Sequence, residues 1–489
     1  MVDRSKVIFG NEISDADYKA ACKSKESFIK KFGDDSNAVY HLAAADLPVI
    51  GDRLGVKNLV MAPEGAAPLS FDEGSKPVVV GNIRMGFGHY RISMAMASAA
   101  HALGYTPYWL DLCSFPETTC SKVIGYQNDL YSMGSRLSQK LPPFNALYWE
   151  PLNSEGFRKL TYNASDQKNA ELMVPLFRDL PKDVPYIGTH VWPSQAAVHA
   201  GLTHVVNAIP DNWPMALHLA EGSIHTVQTP SSYLGYKQLR GMDPKRTLKP
   251  MPDDAIRYTG QYVDHELVAN IAADCAARKA RMENNGPVRW LITVGGAGAQ
   301  AKLFSSIIEK LIPYVVRGEA ALFINVGDHE KVWKDLVKSV KDLEGLTTTH
   351  FNDFAEVASF ATAALSASVG GIHAFCDSDI FSAVYATNVL MRCSDIIVTK
   401  PSELSFYPVP KLMIHRVGGH EAWGAIRAAE LGDGTYEIDD TNEVLAMIDS
   451  MQADRSIIAS MCDHILEADK LGIYNGAYEV VKLAVNGIQ

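Results

Sequence analysis

His89 closes the run Val78-Val79-Val80-Gly81-Asn82-Ile83-Arg84-Met85-Gly86-Phe87-Gly88-His89, where β-branched residues give way to glycines and then to the Ala- and Met-rich stretch Tyr90 to Leu103. That order predicts a buried parallel strand, a tight loop and a helix. An imidazole at a glycine-lined helix start titrates near neutrality and can move a proton. Its plainer use is to hydrogen-bond the loop or cap the helix. The glycines let the backbone approach a ligand, and the helix N-terminus offers free N–H groups to an anion. A second loop, Val294-Gly295-Gly296-Ala297-Gly298-Ala299-Gln300, follows another apolar run and precedes Ala301 to Tyr314. There the N–H groups of Gly295 and Gly296 can cradle a diphosphate without a metal. Neither loop spells the full dinucleotide fingerprint or a Walker A motif.

Other residues join these by position. Asp211 follows a strand candidate and precedes Asn212-Trp213-Pro214; it can orient a base or a substrate, or serve as an ordinary helix N-cap. Lys400 ends the run Ile396 to Thr399 and can bring positive charge to a phosphate, its alternative being a solvated strand end. Glu403 and Glu421 can accept hydrogen bonds from sugar or ribose hydroxyls, or remain surface carboxylates. Asp377-Ser378-Asp379 mimics a metal-binding pair but reads better as a solvated turn, and His420-Glu421-Ala422-Trp423-Gly424 lacks the second histidine of a zinc-protease helix. No metal site is expected. Tyr126, Tyr131, Phe144, Tyr148 and Trp149, interspersed with Arg136 and Lys140, either line an acceptor site or pack in a core.

The elements that must position these residues form two alternating β/α stretches. Strand candidates run from Val78 to Ile83, Pro107 to Leu112, Tyr186 to Thr189, His204 to Ile209, Ile224 to Gln228 and Ile256 to Thr259. A second set comprises Arg289 to Val294, Ala321 to Val326, Thr347 to Phe351, Ile396 to Val398 and Leu412 to Ile414. Such alternation predicts an α/β chain with two doubly wound parallel sheets, whose ligands bind beyond the carboxyl ends of the strands. The division expected is an N-terminal extension at 1–74, a first domain at 75–265, a linker at 266–285, a second domain at 286–440, and helices at 441–489 packing back across both. Both glycine loops are then expected to face an interdomain cleft.

The chain has 489 residues, 47% hydrophobic and 21% charged, enough for two or three large cores. A net charge of -11 argues against nucleic acid as a partner and against electrostatic attachment to anionic lipid. No apolar leader or spanning stretch is readable, so a cytoplasmic protein is expected. Seven scattered cysteines with no CxxC spacing predict reduced thiols.

Taken in order, five segments resemble the GT-B glycosyltransferases, within them the group of monogalactosyldiacylglycerol synthase, bacterial diacylglycerol glucosyltransferases and MurG. They are Gly86-Phe87-Gly88-His89; Ile209-Pro210-Asp211-Asn212-Trp213 with Ser223 to Pro230; Ile256 to Gln261; Val294 to Gly298; and Asp395 to Pro401 with Gly418-Gly419-His420-Glu421. The resemblance spans about Pro77 to Gly434. It implies two Rossmann-like domains, with metal-independent and inverting transfer of a sugar from a nucleotide diphosphate, a UDP-sugar, to an acceptor hydroxyl and no other cofactor. It implies His89 as base with Asp211 beside it, and Gly86, Gly88, Asn212 and Trp213 on the acceptor side. Gly295, Gly296, Thr399, Lys400, Ser402, Glu403, Gly419, His420 and Glu421 fall to the donor. The acceptor is a lipid or a small molecule, which leaves peripheral membrane contact open. Two departures stand out: Pro401 to Pro408 is short and proline-broken, and Ser366 to Arg392 (366–392) reads as inserted sequence. A sugar-nucleotide epimerase of the same build and a non-catalytic nucleotide-sugar binder are the alternatives.

Overall fold

The structure is a computed structural model that describes residues 3–294 and 300–487. The chain divides into two compact units: unit 1 comprises Met1–Tyr262, Gly418–His420 and Gly476–Gln489, and unit 2 comprises Val263–Val417 and Glu421–Asn475.

Unit 1 is built on an eight-stranded sheet. Its strands are β1 (Leu42–Asp46), β2 (Lys57–Met61), β3 (Pro77–Asn82), β4 (Thr106–Asp111), β5 (Tyr186–Gly188), β6 (Val205–Ala208), β7 (Ile224–Val227) and β8 (Ile256–Tyr258), in the order β8-β7-β6-β5-β3-β4-β2-β1. All pairs are parallel except β1 against β2. Residues 1–74 are therefore more than an extension, because they supply the last two strands at one end of the sheet and the helix α1 (Asp15–Phe32).

The triple valine explains why β3 is central. Val79 packs with Tyr108, Leu110 and Trp192 on one face, while Val78 and Val80 pack on the other against Ile92, Ala95 and Met96 of α2 (Gly88–Ala102). Alternation sends successive side chains to opposite faces, so a strand covered on both sides must be apolar throughout. Each such burial contributes roughly 1.5–3 kcal/mol. Gly81 has no room for a side chain: a Cβ there would lie 1.7 Å from the Tyr186 hydroxyl. Three further helices matter below, α3 (Thr119–Lys140), α4 (Leu160–Ala170) and α5 (Val191–His199). The C-terminal helix Gly476–Asn486 also belongs to unit 1, and its Ala477, Val480 and Val481 join the same core as Val78 and Val80.

Unit 2 holds a six-stranded, wholly parallel sheet of β9 (Val288–Thr293), β10 (Ala320–Asn325), β11 (Thr347–Phe351), β12 (Gly371–Cys376), β13 (Ile396–Thr399) and β14 (Lys411–Met413), ordered β11-β12-β10-β9-β13-β14. Residues 366–392 are not an insertion. β12 lies between β10 and β11, and α6 (Ile380–Cys393) is its return helix, buried along most of its length. Asp379, part of the apparent metal pair, is that helix's N-cap and accepts a 2.8 Å hydrogen bond from the Ser382 N–H. The stretch 266–285 is likewise no free linker. It contains the helix Ile271–Glu283, whose buried Arg278 donates 2.8 Å hydrogen bonds to the carbonyls of Ser394 and Met391 in unit 2. The helices Thr441–Ala453 and Ser456–Lys470 also belong to unit 2, so 441–489 is shared between the units. Two doubly wound Rossmann-like units in series are the fold class that the sequence implies.

A candidate acid–base site at the strand ends of unit 1

The loop from β3 into α2 turns at Gly86, where φ is +73°, a left-handed conformation that glycine adopts without strain. Two residues on, Gly88 and His89 form the first turn of α2. His89 does not cap its own helix. Its Nδ1 lies 2.8 Å from the Thr189 carbonyl oxygen beyond the end of β5. A carbonyl can only accept, so Nδ1 carries the proton, and in the neutral ring Nε2 is the basic nitrogen. Ser93 Oγ, 2.8 Å from the His89 carbonyl and 2.7 Å from Thr189 Oγ1, holds the same two segments together.

Sequence reasoning missed His190. It follows Thr189 and is the N-cap of α5, its Nδ1 accepting a 3.2 Å hydrogen bond from the Trp192 N–H. The backbone thus sets this ring the opposite way: Nδ1 bare and, in the neutral form, Nε2–H a donor. The two imidazoles meet edge to face with centroids 4.8 Å apart, and the Trp192 ring also meets His190 edge to face at 4.8 Å. Burial holds the His190 pKa well below the ordinary imidazole range, reinforced by His89 and His218 and opposed by Asp211. His190 is therefore neutral at physiological pH.

Asp211 comes from the segment after β6. No helix begins there, so the N-cap alternative does not apply. Its Oδ2 lies 3.1 Å from Nε2 of His218, the second residue sequence reasoning missed. Burial pushes this carboxyl up, but His218 outweighs it, with His420 and His89 adding to the pull, and the net pKa is well below the carboxylate range. Gly418–His420 groups with unit 1, so this effect arises inside one unit. A buried network fixes His218: Asn207 Nδ2 donates to its carbonyl at 2.7 Å, and Ser194 Oγ lies 2.8 Å from Asn207 Oδ1 and 3.1 Å from the His190 carbonyl. Asn212 is buried with Oδ1 3.3 Å from Thr229 Oγ1. Trp213 carries the Arg158 guanidinium over its ring at 4.8 Å. The ends of β3, β5 and β6 thus bring together an ionised carboxylate and three imidazoles, the arrangement needed to move protons on a ligand above a parallel sheet.

In unit 2 the residues expected on the donor side fall into two groups. Lys400, after β13, is paired with Glu421, which also accepts a 2.8 Å hydrogen bond from the Val417 N–H. Thr399 Oγ1 lies 3.0 Å from the Lys400 carbonyl, Ser402 N–H donates to Ser405 Oγ at 3.1 Å, and half-buried Glu403 opens a 3-10 turn whose other residues are buried. Gly419 and His420 count with unit 1 instead. Gly295 and Gly296 lie outside the described residues. Among the described residues the one cluster able to hold a metal is His415, Glu437 and Asp439.

Two family models divide the chain between them. Residues 7–238 match a domain of unknown function, DUF6937, and residues 251–485 match another, DUF6938. No curated protein matches the sequence. Among solved structures, the chain is similar to UDP-GlcNAc 2-epimerase from Neisseria meningitidis bound to UDP-GlcNAc, with 13% identity over 83% of this chain and 98% of the other and a TM-score of 0.44. An α,α-trehalose 6-phosphate synthase from Burkholderia multivorans gives 12% identity, 84% and 98% coverage, and 0.43. WaaG, a glycosyltransferase involved in lipopolysaccharide biosynthesis, gives 10%, 84% and 100%, and 0.40. Overlaps this loose carry no information about reaction or ligand.

Proposed function

We propose that the protein is a glycosyltransferase of the GT-B type, moving a sugar from a nucleotide diphosphate donor, a UDP-sugar, to an acceptor hydroxyl without a metal. The observation that carries this reading is the hydrogen bond from His89 Nδ1–H to the Thr189 carbonyl, which leaves Nε2 as the base at a glycine-lined helix start. In the reaction the acceptor O–H gives its proton to His89 Nε2 as its oxygen bonds the anomeric carbon. The bond from that carbon to the diphosphate breaks with its electron pair on the leaving oxygen, and the outcome is inversion. Asp211, held ionised, stabilises the imidazolium that His89 becomes. Lys400 meets the donor phosphates after releasing Glu421, which turns to a sugar hydroxyl, while Thr399, Ser402 and Glu403 border the same place. The five motif segments in order, which resemble those of the lipid-modifying group around MurG, support the choice of reaction.

A second reading has its own support. His190 and His218 raise the number of acid and base groups to four, and a sugar-nucleotide epimerase needs several around one sugar. Turnover of donor with no acceptor present separates the two. The primary test is a thermal-shift panel of UDP, GDP, ADP and dTDP with their sugar conjugates, since a ligand that binds only the native state raises its melting temperature. A rise selective for uridine nucleotides is expected, and no shift with any nucleotide overturns both readings.

A further inference from the structure

Two histidines that play no part in either site meet at the edge of the unit 2 sheet. β11 is the edge strand and β12 its neighbour, with Thr348 opposite His373 and His350 opposite Phe375. Alternation along the strands then puts His350, His373 and Phe375 on one face. The helix Phe354–Ser366, which follows β11, brings Glu356 and Phe360 to the same place. Phe375 stacks on the His350 ring at 4.8 Å and 11°, and Phe360 lies 5.0 Å from it. The His373 ring has Phe360 at 4.6 Å and, from β10, Phe323 at 5.8 Å. His350 is buried among these rings, while Glu356 keeps 51% of its side chain exposed.

The hydrogen-bond partners count the protons. His373 Nε2 lies 3.1 Å from the Gly370 carbonyl oxygen, and His350 Nδ1 lies 2.9 Å from Glu356 Oε1. A carbonyl and a carboxylate only accept, so both of these nitrogens carry a proton. The other two, His350 Nε2 and His373 Nδ1, face each other at 3.1 Å and need one proton between them. Two neutral imidazoles hold two protons, whereas this chain of bonds needs three. The third belongs to His350, which adjoins the carboxylate and lies among aromatic rings, whose faces attract a cation. Burial lowers the His373 pKa, opposed by the Gly370 carbonyl and reinforced by His350. Among the described residues Glu356 is the one charged side chain hydrogen-bonded or ion-paired to either ring. Once the third proton leaves, either two bare nitrogens face each other or a bare nitrogen faces the carboxylate. Both arrangements repel, and the chain of bonds breaks.

We propose that Glu356, His350 and His373 form a proton-operated clasp that fastens the edge strand β11 and the helix Phe354–Ser366 to β12, closed while the histidine pair holds three protons and released when it holds two. The third proton binds the closed form better than the open one. The clasp is therefore shut in mild acid and weakens as pH rises through the imidazole range, about 6 to 8. Release frees the edge of the sheet, the place where strand order is least protected by neighbours. The clasp lies wholly within unit 2 and is independent of the transfer reading.

Hydrogen exchange of the full chain tests it, read by mass spectrometry on peptides covering β11 from about pH 5.5 to 9 and corrected for the base-catalysed intrinsic rate. Protection of β11 is expected to fall by about tenfold per pH unit above the midpoint of the pair, the slope for release of one proton, while the central strand β9 shows no such fall. Glu356→Gln supplies the control. Its amide can donate to His350 Nδ1, so the chain closes with two neutral imidazoles, and protection of β11 should persist to the top of the range. The exposure of Glu356 makes this substitution compatible with the fold. A wild-type profile for β11 as flat as that of β9 overturns the proposal. So does a Glu356→Gln profile with the wild-type slope, which detaches the proton from the carboxylate. Neither nucleotide nor sugar is present, so failure here is distinct from failure of the transfer reading.

Discussion

The polar groups of unit 1 and unit 2 solve different problems. In unit 1 the imidazoles of His89 and His190 are held by backbone partners that fix which nitrogen bears the proton, and Asn207, Ser194 and Thr189 behind them are buried. In unit 2 Lys400 pairs with Glu421, the two side chains 29% and 13% exposed, and the Val417 N–H donates to the same carboxylate. The first arrangement presets a proton path, whereas the second is an ion pair that can be traded for another anion. Groups that do chemistry must be rigid before the ligand arrives. Groups that grip a charged ligand can be released from a weak internal pair.

The contrast predicts where substitutions act. Among substitutions the largest stability effect falls in unit 1: His190→Ala removes an N-cap and the ring packed on His89 and Trp192, and should destabilise by about 2–4 kcal/mol in urea unfolding. A loss below about 0.5 kcal/mol would mean that the ring is not packed as described. Next comes acid. His190 and His225 are buried and neutral, the latter with its pKa lowered to about 4 mainly by burial. Below the ordinary histidine pKa the unfolded chain binds protons that the folded one refuses. Stability should therefore fall as pH drops from about 6.5 towards 4, by about 1.4 kcal/mol per pH unit for each histidine. A flat profile in that window contradicts neutral burial. Asp211 works in the other window, its contribution present above the unfolded carboxyl pKa and lost only in stronger acid. The smallest stability effect belongs to unit 2, where Lys400→Ala should shift unfolding by less than about 0.5 kcal/mol while weakening nucleotide binding about tenfold, measured by calorimetry. Equal losses in both measurements would erase the distinction between the units.

Much of this architecture was legible because strand signals and burial coincide. Val78 to Val80 reads as a two-sided strand because every residue is β-branched, and it is the sheet's centre. β12 was not legible: Gly371-Ile372-His373-Ala374-Phe375-Cys376 has one β-branched residue, and only pairing with β10 and β11 makes it a strand. His89 and Asp211 were found from glycines and strand ends. His190 carried the same signal, a residue just past the strand Tyr186 to Thr189, and deserved the same reading. His218 had none, since a return loop rather than its sequence neighbours brings it to Asp211. The exposed face of α3, with Leu130, Met133 and Leu137, could not be read either, because periodicity marks an apolar stripe without saying whether anything covers it.

The central claim is that His89 is the base of a sugar transfer. Its most direct test is release of nucleoside diphosphate from the donor found by thermal shift, compared between the wild type and His89→Ala. The account predicts a fall of about 10²–10⁴-fold with the donor-induced rise in melting temperature intact. Wild-type turnover in His89→Ala would contradict it.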